Sequence, residues 1–384
     1  MKPLTSVLIK PAGPDCSLAC HYCYYLDKSA LFPGTAHRMS EAVLRNTVRQ
    51  MLQQGGQRIN FAWQGGEPTL MGLRFYETAV HYQSRCSRPG QQAGNGLQTN
   101  GLHIDEHWAR FLHQNSFLVG LSLDGPEQVH DRYRRFRSGE GSWRRVVKSR
   151  DLLLSAGVAV NALIVVNDNS VHFPEEIYNF HKQSGIDHLQ FIPCLERDDS
   201  RPGGLAAFSV DAEAYGRFLI ALFDLWRADF SGGRPTLFIR WFDSLFYTYL
   251  GLKAPECTLL PECGVYLVVE HNGEVFACDF YVDEQHRLGN VSEARLADLL
   301  NSPAQEQFGA AKRALPDQCT VCPWLTHCWC GCPRERIFRP DGVNYLCPAW
   351  WAFFEYADPH FRALAERLTR ENRAGAGRLP QSGA

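Results

Sequence analysis

The sequence has no excess of either charge: 39 lysines and arginines stand against 41 aspartates and glutamates, a formal net charge of −2. That balance gives no reason to expect nucleic acid or an anionic membrane as the main partner. It also lacks long hydrophobic runs, and none approaches the ~20 residues that cross a bilayer. The opening MKPLTSVLIKPAGPDCS meets Pro, Gly and Asp too soon for a secretory signal, which points to a cytoplasmic protein. No internal repeat is visible. What remains is an ordinary globular composition, 45% hydrophobic and 21% charged over 384 residues. A chain of that length buries one large core with a smaller attached module.

Cysteine breaks this ordinary pattern. Fourteen cysteines in a leaderless chain do not form a disulfide framework, because the cytosol keeps thiols reduced. Cys86 and Cys194 stand alone and fit the role of small buried hydrophobes. That role does not explain six cysteines between 319 and 347, or three between 16 and 23. Clusters this dense bind metal.

The first half of the chain alternates extended apolar runs with amphipathic segments. Strands are expected at 6–10, 58–63, 95–99, 117–123, 158–166 and 188–194. The first helix opens at Ser40 as N-cap, carries Val43, Leu44, Val48, Met51 and Leu52 at helical spacing, and stops at Gly55–Gly56. Further helices are expected near 72–85, 105–114, 143–156, 174–184 and 211–230. Strand–helix repetition implies a parallel sheet with right-handed crossovers. Six units are too few for a closed eight-unit barrel, so the expected α/β fold is a partial (β/α)6, TIM-like barrel. A doubly wound sheet is the alternative. Either places chemistry beyond the carboxyl ends of the strands. Residues 196–206 read as a flexible loop, and the aromatic segment IRWFDSLFYTY suggests a peptide-binding wall. GVYLVVEHNGEVFACDFY reads as a hairpin turning at His271–Asn272–Gly273. The domain expectation is a barrel over 1–235, a cysteine-rich module over 236–365, and a disordered polar tail over 366–384.

Cys16-x3-Cys20-x2-Cys23 offers three thiolates on one tight loop after the first strand. Zinc sites and ordinary iron–sulfur clusters take four protein ligands. Three ligands leave one iron of a 4Fe–4S cluster open to an outside chelator, a position the amino and carboxylate groups of S-adenosylmethionine (SAM) can fill. The triplet, with aromatic Tyr22 before Cys23, resembles the radical SAM superfamily signature. QGGEP at 64–68 resembles the SAM-binding segment of that superfamily, whose glycines let backbone groups meet the cofactor.

The later cysteines resemble the SPASM extension of peptide-modifying radical SAM enzymes, which holds two auxiliary 4Fe–4S clusters. By that resemblance Cys257, Cys263, Cys278 and Cys332 hold the nearer cluster, and Cys319, Cys322, Cys328 and Cys347 the farther one. With the triplet this makes three 4Fe–4S clusters on eleven of the fourteen cysteines. Cys330 stands outside the set, since the family usually has another residue there; it reads as a bystander, with an alternative ligand as the other reading. A zinc ribbon over 319–347 is the competing reading.

Across nearly its whole length the chain resembles the anaerobic sulfatase-maturating enzymes. The matching segments include FAWQGGEPTLMGL, LQTNG, FLVGLSLDGP, HDRYRR, LQFIPCLE and VVEHNGEVFACDFYV. The resemblance implies oxidation of a cysteine or serine in an unfolded sulfatase polypeptide to Cα-formylglycine. Asp279 matches the family's general base, and the auxiliary clusters its electron acceptors. It carries over SAM contacts to Tyr22, Gly66, Ser122, Arg134 and Leu195, with Arg134 on the SAM carboxylate. Gln64 and Asp124 are expected near substrate or SAM. An electron donor such as flavodoxin or ferredoxin is implied. The alternative enzyme is a maturase that crosslinks a ribosomally made peptide, and the alternative non-enzyme is a zinc-stabilised scaffold.

Overall fold

The computed structural model describes residues 1–375. Six strands, β1 (Ser6–Lys10), β2 (Arg58–Trp63), β3 (Gln92–Thr99), β4 (Leu118–Ser122), β5 (Ala159–Val166) and β6 (His188–Pro193), pair in parallel in chain order. Sequential order without reversal is the topology of a barrel wall and excludes the doubly wound alternative. β3 begins three residues earlier than its apolar pattern indicates, because Gln92, Ala93 and Gly94 are registered against Arg58, Ile59 and Asn60 of β2. Neighbouring strands supply hydrogen bonds that a local pattern does not reveal.

The helices start where short polar side chains can cap them. Ser40 accepts from the Val43 amide at the head of α1 (Glu41–Gln54), and Asp105 from the Trp108 amide at the head of α3 (Glu106–Gln114). Between them lies α2 (Leu73–Cys86). Then follow α4 (Trp143–Ser155), α5 (Pro174–Ser184) and α6 (Ala212–Ala228), the last capped by Asp211. α1 buries Leu44, Val48, Met51 and Leu52 against the sheet, the 3.6-residue stripe read from the sequence.

The sheet does not stop at residue 235. A two-residue strand, β7 (Phe238–Ile239), extends β6, and the expected hairpin, β8 (Leu267–Glu270) and β9 (Glu274–Phe276), joins the opposite edge. β8 pairs in parallel with β1, Val7 opposite Leu267 and Lys10 opposite Glu270. β10 (Arg287–Asn290) closes a ten-stranded sheet ordered β10-β9-β8-β1-β2-β3-β4-β5-β6-β7. Gly273, at φ 86°, makes the hairpin turn; its amide donates to the Glu270 carbonyl at 2.9 Å.

Two expectations are corrected here. The aromatic segment is a core helix, α7 (Arg240–Tyr249), not an open wall: Phe242 is fully buried, its ring centroid 5.3 Å from that of Phe353. Nor does the chain become disordered at 366. The long helix α8 (Cys347–Gly375) runs through it, because Phe361 and Ala365 are buried and Arg367 Nη2 donates to the Gly233 carbonyl at 2.6 Å. The remainder of the expected tail, 376–384, lies outside the described residues. No helix among them is long and apolar enough to cross a membrane.

Because β1 needs β8 to cover its edge, residues 1–235 alone would present an unpaired apolar strand. We expect that fragment to be insoluble, whereas the full chain is soluble; comparing soluble yields and circular dichroism of the two checks this. A well-folded fragment would show that the extension is dispensable to the barrel.

Candidate active site

The loop after β1 carries the cysteine triplet, and backbone contacts hold it over the end of β2. The Gly66 amide donates to the Gly13 carbonyl (2.8 Å) and the Glu67 amide to the Asp15 carbonyl (2.7 Å). A Cβ on Gly66 would stand 2.1 Å from the Asp15 carbonyl oxygen, so only glycine permits this approach. The fully buried Glu67 ties three loops together. Its Oε1 accepts from Thr99 Oγ1 (2.7 Å) and the Thr69 amide (3.0 Å), and its Oε2 from the Asn100 amide (2.8 Å). Asn100 Nδ2 in turn reaches Cys16 Sγ at 3.6 Å. The sequence contained Glu67 within QGGEP but gave no sign of this role.

Cys16, Cys20 and Cys23 lie within electrostatic reach of one another, and burial pushes the Cys16 thiol up to about 12 and the Cys20 thiol up to about 11. Behind them is a buried ionic knot. Tyr22 donates to Asp124 Oδ2 (2.5 Å), and Arg134 donates Nε to Oδ2 (2.9 Å) and Nη2 to Oδ1 (3.1 Å). The Val165 amide also donates to Asp124 Oδ1 at 2.9 Å. Burial opposes ionisation of Asp124, yet the Arg134 guanidinium and these donors hold its carboxyl below the usual range. Arg134 also lies within electrostatic reach of Cys20 and opposes the rise in its thiol pKa. Two of its three nitrogens are thus committed to Asp124. Ser122 ends β4 and Leu195 follows β6, 2% exposed, both at the same end of the sheet.

Asp279 stands at the centre of a second network. Its Oδ1 lies 2.5 Å from Lys10 Nζ, and its Oδ2 accepts from Tyr24 (2.7 Å) and from Gln64 Nε2 (2.7 Å). Lys10 is fully buried and lies 3.5 Å from the Tyr25 ring centroid, while Tyr25 donates to the buried Glu270. Next to Asp279, the Cys278 sulfur meets the Tyr266 hydroxyl at 3.5 Å. The Asp279 side chain keeps 14% of its surface exposed, so it is reachable.

The structure brings the later cysteines into two groups. Cys257, Cys263, Cys278 and Cys332 lie within electrostatic reach of one another, so Cys332 leaves its sequence neighbours to join the first group. Cys319, Cys322, Cys328 and Cys347 form the second, and Cys330 stands among them. No disulfide links the cysteines among the described residues. Among the described residues no three His, Cys, Asp or Glu side chains close around the position of a single metal ion. Zinc with ~2.3 Å bonds would draw four sulfurs to within about 4 Å of each other. A cluster spreads its thiolates over several irons. Groups of three and four soft thiols fit the ligand demand of iron–sulfur clusters.

Residues 11–180 match the model of the Radical SAM superfamily, and residues 262–323 that of an iron-sulfur cluster-binding domain. Fold and site therefore define a radical SAM enzyme with an auxiliary-cluster extension, whose cofactors are SAM and iron–sulfur clusters. A serine-type anaerobic sulfatase-maturating enzyme of Bacteroides thetaiotaomicron is 35% identical, covering 96% of this chain and 93% of the relative. A cysteine-type anaerobic sulfatase-maturating enzyme of Clostridium perfringens is 36% identical, covering 96% and 100%. The chain belongs to the family of anaerobic sulfatase-maturating enzymes. Native anSMEcpe, solved with bound AdoMet and Cp18Cys peptide, is similar at a TM-score of 0.87 and 35% identity, over 95% of this chain and 99% of that one. SuiB of Streptococcus suis, at 16% identity and TM-score 0.62 over 91% of this chain and 77% of its own, shares the fold.

Two predictions follow from this geometry. Gly66→Ala should push the cysteine loop off β2, cost about 1–3 kcal/mol and weaken SAM binding; thermal melting and equilibrium dialysis with SAM measure both. The second concerns acid. Burial drives His130 and His181, both beside Asp124, down to about 3. Unfolded, each titrates near ~6.5, so below that pH the unfolded chain binds more protons and stability falls. The pair contributes a slope of up to about 2.7 kcal/mol per pH unit within the window, fully relieved above it. Urea midpoints between about pH 4.5 and 7.5, compared with those of His181→Gln, should show the variant losing roughly half of this slope. Parallel profiles would refute it.

Proposed function

We propose that this chain oxidises one cysteine or serine of a sulfatase polypeptide to Cα-formylglycine, with Asp279 as the general base. The observation that carries this reading is the placement of Asp279. The carboxylate follows Cys278 directly, is 14% exposed, and is held by Lys10, Gln64 and Tyr24. SAM and the cluster on Cys16, Cys20 and Cys23, when bound, supply the radical that removes a hydrogen atom from the target Cβ.

The rest of the chemistry belongs to the chain. The target thiol or hydroxyl must lose its proton as its carbon is oxidised, and a positioned carboxylate accepts it. Lys10 Nζ lies 2.5 Å from Oδ1 and holds that oxygen in place. Tyr24 and Gln64 donate to Oδ2 and fix the carboxylate plane. Gly66 lets SAM approach the backbone, with Tyr22, Ser122, Arg134 and Leu195 around it. Because Arg134 binds Asp124 through Nε and Nη2, Asp124 fixes the guanidinium plane, and the remaining N–H donors can meet the SAM carboxylate. Cys257, Cys263, Cys278 and Cys332 would hold one auxiliary 4Fe–4S cluster, and Cys319, Cys322, Cys328 and Cys347 a second; the nearer cluster would take the second electron of the oxidation, leaving the aldehyde from serine or, from cysteine, a thioaldehyde that water hydrolyses with loss of hydrogen sulfide. The target enters as an extended, unfolded segment in the cytoplasm, with flavodoxin or ferredoxin as reductant. Serine-type and cysteine-type relatives are similar to nearly the same degree, so the proposal covers either target residue.

The anaerobically reconstituted enzyme, given SAM and a peptide bearing Cys/Ser-x-Pro-x-Arg, should yield 5′-deoxyadenosine and a peptide aldehyde captured by a hydrazide. Deoxyadenosine beside a peptide of unchanged mass would sink the proposal. Asp279→Asn should keep SAM cleavage while peptide oxidation falls by roughly 10²–10⁴-fold. Equal loss of both activities would assign Asp279 a structural role instead.

A further inference from the structure

Residues 132–148 carry seven lysines and arginines and a single acid, Glu140, in a chain whose overall charge is −2. The buried Arg134 is taken up by Asp124, and Arg144 lies 3.4 Å from Glu127. Arg132, Arg135, Arg137, Arg145 and Lys148 are exposed and have no carboxylate partner among the described residues. Cations around the later cysteines are paired instead, Arg313 with Glu262 and Arg339 with Asp341. Unpaired positive charge is thus concentrated on one segment.

That segment is fastened to the triplet loop. The Ala19 amide donates to the Arg135 carbonyl (2.9 Å) and the His21 amide to the Tyr133 carbonyl (3.2 Å), so the backbone between Cys16 and Cys23 runs alongside 133–135. On its other side, Ser149 Oγ of α4 donates to the Gly101 carbonyl (2.6 Å), next to Asn100, whose Nδ2 lies 3.6 Å from Cys16 Sγ. The charged loop is itself braced. Asp131 Oδ1 accepts from the Ser142 and Trp143 amides (2.8 and 2.9 Å), and the Phe136 amide donates to the Glu140 carbonyl (2.9 Å). Beside the cations His21, between Cys20 and Cys23, is exposed. Its ring stacks on Tyr133, centroids 5.8 Å and planes 16° apart, and meets Phe208 edge-on at 5.0 Å.

Two physical requirements meet on this face. One-electron transfer falls steeply with distance, so a donor must come against the triplet loop itself. Fixed, unpaired positive charge draws an acidic partner and speeds its encounter. The flat, exposed His21 ring adds an apolar contact for the edge of a flavin ring.

We propose that Arg132, Arg135, Arg137, Arg145 and Lys148 dock a small acidic flavoprotein of the flavodoxin class against the triplet loop, with its flavin edge at His21. The inference rests on the reading that such a carrier is the reductant. The reduced flavin gives up one electron and the cluster held by Cys16, Cys20 and Cys23 takes up one. No covalent bond forms or breaks, and no proton crosses the interface.

The test follows 5′-deoxyadenosine made by the reconstituted full-length enzyme, reduced either by flavodoxin with its reductase or by dithionite, which needs no docking surface. At low ionic strength, Arg132→Glu/Arg137→Glu and Arg145→Glu/Lys148→Glu should each lower the flavodoxin-driven rate by roughly tenfold or more. The loss should come through a raised KM for flavodoxin, with the dithionite-driven rate unchanged. Arg58→Glu/Arg85→Glu, at the amino ends of the strands, should match wild type with both reductants. The wild-type advantage should shrink as salt shortens the screening length to about 3 Å near 1 M. Flavodoxin-driven rates equal to wild type in both patch variants overturn the proposal, as does a loss that salt does not change. A loss with ferredoxin alone also overturns it. So does a raised peptide KM under dithionite, which would give the patch to the substrate. Should a reversal disturb the triplet loop and lower both rates, the ratio of the two rates in Arg132→Gln/Arg137→Gln decides. Wild type that turns over with dithionite yet takes no electron from flavodoxin would remove the reductant reading, and the docking site with it.

Discussion

The parallel pairing of β8 with β1 is the contact on which the rest of the molecule depends. It places the edge of the cysteine-rich segment on the barrel's first strand, with Lys10 opposite Glu270. Without it β1 would be an exposed edge, and Asp279, carried just beyond β9, would not reach Lys10. The segment that completes the sheet therefore also delivers the candidate base and the cluster ligand beside it.

Buried charge follows from that arrangement. Lys10, Glu270, Asp124, Arg134 and Glu67 are all nine-tenths or more buried. Each would be costly alone and is tolerable because an opposite charge or several donors meet it. Lys10 meets Asp279 and the Tyr25 ring, Asp124 meets Arg134 and Tyr22, and Glu67 meets donors from Thr69, Thr99 and Asn100. These contacts fix carboxylates and loops at the carboxyl ends of the strands, where a radical enzyme must hold its substrate within reach and exclude competing hydrogen donors.

Much of this was legible in local pattern. Ser40 marked a helix start because an N-cap is satisfied within three residues. Alternation over 58–63 and 158–166 gave β2 and β5, and the hairpin turn fell at Gly273. β7 and β10 were not legible, being two and four residues long with partners remote in sequence. The aromatic run at 239–249 was misread because hydrophobicity does not say whether a ring faces a substrate or Phe353. The helix through 366–375 escaped for the same reason, its anchor being the Gly233 carbonyl.

The chain's cysteine spacing alone set out the triplet, the chemistry it serves and a dense later cluster, because metal ligation demands particular residue types at short range; how the later cysteines divide was implied only by the family resemblance. Tertiary structure alone decided what surrounds them. A lysine in a strand reads as solvated until Asp279, 269 positions later, is found against it. Arg134 reads as one member of a basic run until Asp124 claims two of its nitrogens. The difference is physical: ligand spacing is a property of the local chain, whereas the counter-ion of a buried charge is chosen by the fold.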